Sequence, residues 1–433
     1  MYTVQRRPNL RLFTAICSFT IACLLLVACN KENTPAKESF SITLNNELSL
    51  LQARYAAFLT DETGNVIAFN WLNSKDTTTL SLRFADEATF DCTVVKIFNA
   101  GTPSAPSEKV ELITYTNVKN GALINLRNLD NESEANIKLQ FTNIISLDSL
   151  IFPESTPLVM PQESTNFFGN FTVKHTGDFW LLAKVNGDPA WRYFTFKNFV
   201  PTVNTYNIDA SLLPKVQGTA PKIKFPFTAR WRYHVDGFLD ADQQKIIPLG
   251  DIMEEPDARV AVSDVLSIYR PEDVTFNGYK LEVLGTMLAG SDSYTLKVNR
   301  LYETFPTDIE APDFTVKPTL VNDNKQISVQ CDGSFDALVV KRTISGYPAI
   351  EWSVYLEPAA DSNVSYALPQ LPKDLSTSYP QLGSYAFDNG NVVRAERYRR
   401  LFGYEEMLAT IFTNADYYWQ TKNELMSVEK TFY

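Results

Sequence analysis

Histidine is almost missing from this chain: His175 and His234 are the two found in 433 residues. Neither a His-x-x-x-His nor a Glu-x-x-His spacing exists, so no zinc site built on neighbouring imidazoles is encoded. Each histidine reads as an ordinary surface or strand residue. Positive charge is also short, with 39 Lys and Arg against 50 Asp and Glu and a formal net charge of −11. A chain this acidic repels phosphate backbones, which counts against nucleic acid as a partner; its acidity serves solubility first. Glycine is sparse, at 17 residues, and no Walker-type phosphate loop, dinucleotide fingerprint or Gly-x-Ser-x-Gly elbow occurs. No cofactor and no metal is implied. These absences bear only on enzymes that carry motifs, because the carboxylate pair of a glycosidase can be assembled from residues far apart in sequence.

One long apolar run occurs, at residues 12–28, and it stops at Cys29. Arg6, Arg7 and Arg11 form a basic region around its start and small residues close it, the three-part pattern of an export signal. A spanning helix needs about twenty apolar residues, and Thr14, Ser18 and Thr20 weaken this run as a permanent span. Arg6 and Arg7 have the look of twin-arginine export, but Pro8 and Asn9 follow where that signal carries an apolar pair.

Leu26-Val27-Ala28-Cys29 resembles the lipobox of bacterial lipoproteins, in which the cysteine thiol receives diacylglycerol and becomes the first residue after cleavage. The resemblance implies lipidation of Cys29 and loss of residues 1–28, which removes three arginines and no acids and takes the net charge from −11 to −14. Lys31 and Glu32 resemble the Lys-plus-acidic signal that sends Bacteroidota lipoproteins to the cell surface. That signal usually carries more acids, so an outer-membrane location with either a periplasmic or a surface-facing side stays open. Acyl chains contribute about 0.8 kcal/mol per buried CH₂, and several together anchor a protein without a spanning helix. Residues 29–39, with Pro35 and several charges, read as the tether.

The rest of the chain predicts a mainly β protein: tandem antiparallel β-sandwich domains with one short helix near the C-terminus. Short runs rich in Val, Ile, Thr, Phe and Tyr recur between Asn, Asp, Gly and Pro clusters. Polar breaks near 131–134, 217–221 and 306–312 divide it into 40–134, 135–219, 220–308 and 309–433, each of ordinary domain size. Asn186-Gly187 predicts a two-residue type I′ turn, with Pro189 delaying the second strand to Trp191. Residues 61–65 predict a longer Gly-containing hairpin loop. The stretch 51–98, a turn with Gly, then a strand, then the Thr-rich TTTLSLRF, resembles the carboxypeptidase-regulatory or transthyretin-like modules, or Ig-like modules, of Bacteroidota envelope proteins. TYNIDASLLP and VSYALPQLP both look like a strand running into a Leu-Pro exit. Met407, Leu408, Ile411, Phe412 and Ala415 make one helical stripe, with Glu405 and Glu406 in the first turn; this helix is expected to pack on the last sheet.

Candidate chemistry is thin. Cys92 and Cys331 can pair in an oxidising compartment or stay as small buried hydrophobes. Asp236, Asp240 and Asp242 are close enough for a calcium loop but lack the EF-hand spacing and its terminal Glu, which favours a polar hairpin loop. Asp323 and Asn324 read as an exposed turn. Trp191 with Tyr193, and Trp231 with Tyr233, share one strand face in each WRY run and offer ring platforms for sugar stacking; burial in a sandwich core is the competing reading. Arg192 and Arg232 then face the other way. Arg394, Arg397, Arg399 and Arg400 cluster in an acidic chain, either to dock an anionic polymer or a partner's acidic edge, or to pair with Glu396 and neighbouring acids. The functional expectation is a lipid-anchored envelope protein, joined to the membrane through Cys29 and to a glycan or envelope-protein partner, serving as a non-catalytic binding, scaffold or accessory component. The alternatives are a tethered polysaccharide hydrolase and an adhesin.

Overall fold

The computed structural model describes residues 40–432 apart from 47–52, 74–75, 83–88, 101–106, 127–133, 145, 152–165, 173–176, 189, 200–203, 216–217, 220–221, 244, 252–262, 268–269, 272–273, 290–291, 311, 322–324, 359–362, 388–390 and 414–423. The leader, Cys29, His175 and the turn at Asp323 and Asn324 lie outside the described residues.

The protein is mainly β. The first strands are β1 (Phe40–Asn46), β2 (Ala53–Thr60), β3 (Val66–Leu72), β4 (Asp76–Leu82), β5 (Thr89–Asn99), β6 (Glu108–Lys119) and β7 (Leu123–Leu126). Then come β8 (Glu134–Thr142), β9 (Leu147–Ile151), β10 (Asn166–Thr172), β11 (Gly177–Val185), β12 (Trp191–Phe199) and β13 (Asn204–Asp209). A third group holds β14 (Gly218–Thr219), β15 (Lys222–Phe238), β16 (Ile246–Asp251), β17 (Ser263–Ser267), β18 (Arg270–Pro271), β19 (Gly278–Ala289) and β20 (Asp292–Tyr302). The last group is β21 (Thr315–Val321), β22 (Gln326–Asp332), β23 (Ala337–Ile344), β24 (Ala349–Leu356), β25 (Asn363–Ala367), β26 (Asn391–Tyr398) and β27 (Leu425–Phe432). Helices α1 (Lys373–Ser378), α2 (Pro380–Gly383) and α3 (Tyr404–Thr413) fall in this group too. Among the described residues there are thus three α-helices where the sequence pattern showed one, because α1 and α2 are too short to carry a readable apolar stripe.

A single large sheet runs in the order β16-β15-β19-β20-β27-β26-β23-β24-β6-β5-β2-β3, with β17 also pairing β15. Strand β24 alternates half-buried and buried positions along its whole length, the period of a pleated strand with one face in a core. In β2, by contrast, Tyr55 through Thr60 are buried without a break, as a strand covered on both faces must be. Ala56 and Phe58 of that strand enter one core, shared with Val95, Leu112, Trp352, Val340, Val428 and Leu281. Ile327 and Val329, from the small sheet β21-β22-β25, join the same core. Tyr55, Ala57 and Leu59 enter a second core with Ile42, Leu44 and Leu80 of the sheet β4-β1-β7. The result is three layers at this end of the large sheet, each side chain directed to one core or the other by strand alternation.

Main-chain pairing crosses the intervals inferred from sequence. Strand β6 pairs β24 in parallel, from Lys109 opposite Ala349 to Tyr115 opposite Tyr355, and β20 pairs β27, with Val298 opposite Met426. The intervals 40–134, 220–308 and 309–433 therefore contribute to one sheet. The polar clusters that suggested the cuts fall where the chain passes between sheets: between β7 and β8, around β14, and between β20 and β21. Parallel pairs also join β1 to β7 and β8 to β13, so the sheets are mixed rather than purely antiparallel.

The loop at 61–65 closes β2–β3 as expected, with the Asp61 carboxylate accepting from Thr63 N–H at 3.0 Å and Asn65 N–H at 2.8 Å. Gly64 takes φ 79° there, a conformation that favours glycine. Strand β12 begins at Trp191, after Pro189. The turn before it is not type I′, which needs positive φ at both central residues: of the pair, only Gly187 has it, at φ 81°. The two Leu-Pro exits follow β13 and β25, but β13 is parallel to β8 and β25 antiparallel to β22.

Helix α3 buries Tyr404, Met407, Leu408 and Phe412. It packs into a core that joins β1, β2 and β5 with Ala337, Tyr398 and Leu425 of the last strands β23, β26 and β27, and the Tyr404 hydroxyl lies 3.1 and 2.6 Å from the carbonyls of Thr116 and Tyr355, at the β6–β24 seam. Cys92 and Cys331 are both free and buried. Burial pushes their thiols up to about 12 and about 11, which leaves both unreactive near neutral pH.

Asp91 sits at the β5 bulge, where the register with β6 shifts between Phe90 and Cys92. Its carboxyl accepts from the Tyr366 hydroxyl at 2.9 Å and from Asn117 N–H at 3.3 Å. Burial outweighs both bonds and raises its pKa to about 6. An acid whose folded pKa exceeds its unfolded value binds protons more tightly when folded, so this penalty is absent below the unfolded pKa and grows as pH rises through about 4 to 6. Asp91→Asn, which keeps an acceptor for Tyr366, is expected to stabilise the protein at about pH 7.5 by on the order of 1–2 kcal/mol, with the gain shrinking near pH 4. Urea midpoints at the two pH values measure this; an equal gain at both would contradict it.

Candidate functional site

The two WRY runs are not brought together. Trp191 and Tyr193 lie on β12, in the sheet β12-β11-β9, whereas Trp231 and Tyr233 lie on β15 in the large sheet. Trp191 and Tyr193 are half-buried against Ile151 and Leu182, and Lys184 Nζ stands 5.9 Å from the Trp191 ring centre. Tyr233 is 8% exposed and belongs to the main core. Trp231 stands opposite Gly285 in the strand register. Alternation is kept, since Arg232 is exposed beside buried Tyr233. The aromatic side at Tyr233 is therefore the core side, and Tyr233 is no platform for a sugar. On β12, Arg192 turns inward instead: it donates to the carbonyls of Ala210 and Leu213 at 3.2 and 3.1 Å and to the Asp188 carboxylate at 2.8 Å. Ala190 N–H, then Arg192 and Lys215, hold the Asp188 carboxyl well below the usual carboxylate range.

The aspartates of the proposed calcium loop are scattered. Asp236 is wholly buried within β15, 2.9 Å from Nε2 of buried His234, and Asp240 accepts from Lys245 N–H at 3.1 Å to close the β15–β16 loop. Among the described residues no cluster of three or more His, Cys, Asp or Glu side chains could hold a metal ion. One Ser-x-x-Lys spacing does occur, Ser427 and Lys430, but on β27, where residues three apart point to opposite faces.

Every member of the arginine cluster pairs with an acid. Arg394 reaches Glu396 at 2.6 Å and Glu429 at 3.7 Å, Arg397 pairs with Asp313, and Arg399 and Arg400 both pair with Glu424. Its first member borders a cavity of about 430 Å³ lined also by Lys341, Glu351, Ser353 and Tyr355. That wall is self-neutralising, because Glu351 takes Lys341 at 2.8 Å and Lys109 at 3.4 Å.

Arg399 and Arg400 belong to a larger groove of about 680 Å³. Strand pairing assembles it. Tyr279 stands opposite Tyr302 across β19–β20, Phe238 opposite Gly278 across β15–β19, and Tyr398 opposite Leu425 across β26–β27. The strand ends thus converge, with Arg300 and Tyr302 from β20, Arg399 and Arg400 from just beyond β26, and Glu424 from just before β27. A Cβ on Gly278 would lie 3.1 Å from the Tyr302 carbonyl oxygen, so the close approach of these strands favours glycine there. Glu424 is 6% exposed and bridges the two arginines, with Arg399 Nη1 at 3.3 Å from Oε1 and Arg400 Nε bonded to Oε2. Arg300 donates to Glu310 at 3.0 Å and lays its guanidinium over the Tyr302 ring, 5.2 Å from the centre. Burial raises the Tyr302 hydroxyl pKa, which suits it to hydrogen bonding rather than to proton transfer. Asp240, Gln243 and Asn277 line the other end. The arrangement can bind an anion at one end and hydroxyl groups at the other.

Sequence reasoning singled out Arg399 and Arg400 but missed Arg300, Tyr302 and Glu424. They lie too far apart in the chain to form a motif, and only strand pairing gathers them.

No protein-family model matches the chain, and no curated protein matches it. It shares 10% identity over 83% of its length with a solved structure described as a tetra-tandem repeat in the extending region of a large adhesion protein, covering 95% of that chain with a TM-score of 0.13. A score this low carries no argument about fold or function.

Proposed function

We propose that this chain is a lipid-anchored cell-envelope protein of the outer membrane that acts as a non-catalytic binding or scaffold component in handling a glycan or another surface polymer. The anchor reading rests on Leu26-Val27-Ala28-Cys29 at the end of the one long apolar run, with Cys29 as the acylated residue. Among the described residues no helix is long and apolar enough to cross a membrane. The binding reading rests on the groove at the β20, β26 and β27 ends, whose charged side chains are set in place by Glu424.

The tether is short. Strand β1 starts at Phe40, so residues 29–39 reach at most about 40 Å when extended, and the sheets are held close to the lipid. The seam between β6 and β24 ties the N-terminal strands β2, β3, β5 and β6 to the C-terminal strands by main-chain bonds.

Metabolic labelling with palmitate tests the anchor: wild type is expected to carry label and Cys29→Ala to carry none. Label retained by the variant, or a mature species lacking fatty acid by mass spectrometry, would refute it. Accessibility of the intact cell's protein to added protease decides which side of the membrane it faces.

A further inference from the structure

We infer that the groove between Arg300, Arg399 and Arg400 holds a carboxylate-bearing sugar, a uronic acid residue of an acidic glycan, with its carboxylate on Arg399 and Arg400. The inference deepens the binding reading above and takes from the anchor reading only where such a ligand would be met.

Three observations carry it. Glu424, nearly buried, holds two guanidinium groups that are themselves 59% and 48% exposed. Each contributes one nitrogen to that contact and retains further N–H donors, and a planar fork is suited to a carboxylate. The pair of arginines exceeds the one carboxylate by a single positive charge, in a protein whose net charge is −11. Next to them, Arg300 lays its guanidinium over the Tyr302 ring and donates to Glu310, which fixes this wall of the groove.

At the far end Asp240, Gln243 and Asn277 supply carboxylate and carboxamide groups, the acceptors and donors that ring hydroxyls need. The volume of about 680 Å³ falls in the range of small-molecule sites. Charge density narrows the class. The lining sets Arg300, Arg399 and Arg400 against Asp240, Glu303 and Glu424, and a polymer with one carboxylate per ring among neutral hydroxyls suits such a mixed wall better than a more densely charged polyanion.

Titration calorimetry on the full-length protein in detergent, with trigalacturonate and the neutral maltotriose as probes, tests this. Trigalacturonate is expected to bind, more weakly at high salt, and maltotriose to give no comparable heat. Arg399→Met and Arg400→Met are each expected to weaken trigalacturonate binding about tenfold, and Arg400→Lys to weaken it less, because the charge remains while the fork is lost. Gln243→Ala, at the other end and clear of the Glu424 contacts, is expected to weaken binding severalfold without altering the melting curve, which separates loss of contact from loss of fold. No heat with trigalacturonate, equal heat with maltotriose, or unchanged affinity in the Arg399→Met/Arg400→Met double variant would overturn the proposal. Palmitate labelling is independent of all three results, so the anchor can stand while this fails.

Discussion

Trp352→Ala is expected to destabilise the protein by about 4 kcal/mol, in the range for truncating a fully buried tryptophan. Trp352 has no exposed surface and lies where β24 meets β6, opposite Leu112 on one side and Arg342 on the other. Its indole N–H donates to Thr114 Oγ1 at 2.9 Å, and Thr114 in turn meets Thr93 Oγ1 at 2.7 Å on β5. Tyr385 stacks against it with ring centres 6.4 Å apart and planes at 22°. Alanine removes the ring contacts, opens a cavity that the paired strands cannot collapse into, and deprives a buried hydroxyl of its donor. Trp352→Phe, which keeps most of the volume, is expected to cost about half as much. Because residues from three of the sequence intervals share this sheet, one urea transition should shift as a whole, monitored by far-ultraviolet circular dichroism. Two separate transitions, with the alanine variant moving one of them, would show that the intervals unfold independently.

The sequence made some of this legible, and the divide follows the range of the interactions. Short-range features could be read: the start of β12 at Trp191, the Gly64 loop between β2 and β3, and the stripe of α3 depend on residues a few positions apart. Alternation also separated Arg232 from Tyr233, yet it says only that two faces differ and not which one meets a core. The buried Tyr233 shows the consequence, since an aromatic face suited to stacking a sugar is equally suited to packing on a neighbouring sheet. Long-range features could not be read. The parallel seam joins residues about 240 positions apart, and no local pattern specifies such a partner. The candidate groove has the same origin, with Arg300, Arg399 and Glu424 supplied by three separated segments. The arginine cluster itself was visible, but its partners Asp313, Glu424 and Glu429 come from other strands and the loops that flank them.

Within that cluster Arg394 carries the most stability, and Arg394→Met is expected to cost about 3 kcal/mol. Its guanidinium Nε lies 2.6 Å from Glu396 Oε1, and Glu396 is 1% exposed, held on its other oxygen by the Tyr398 hydroxyl at 2.5 Å. All three side chains are on β26 two residues apart, so the strand itself fixes their common face. Burial works against the arginine's charge, but Glu396, then Tyr355 and Glu429, more than offset it and hold the guanidinium firmly protonated. Methionine fills most of the volume of the arginine stem and leaves a buried carboxylate with one neutral donor, the situation in which breaking a buried pair is most costly. Exposed pairs behave otherwise: Lys119 with Glu405, both largely exposed, should lose less than about 1 kcal/mol on truncation. Adding Glu396→Gln to Arg394→Met removes the stranded charge and is expected to recover at least half of the loss, giving a coupling energy of about 2 kcal/mol in the double-mutant cycle. Urea denaturation of the four proteins supplies that cycle. Additive losses would mean that the pair contributes no more than a surface contact, and that the charge of Glu396 is solvated by some route other than Arg394.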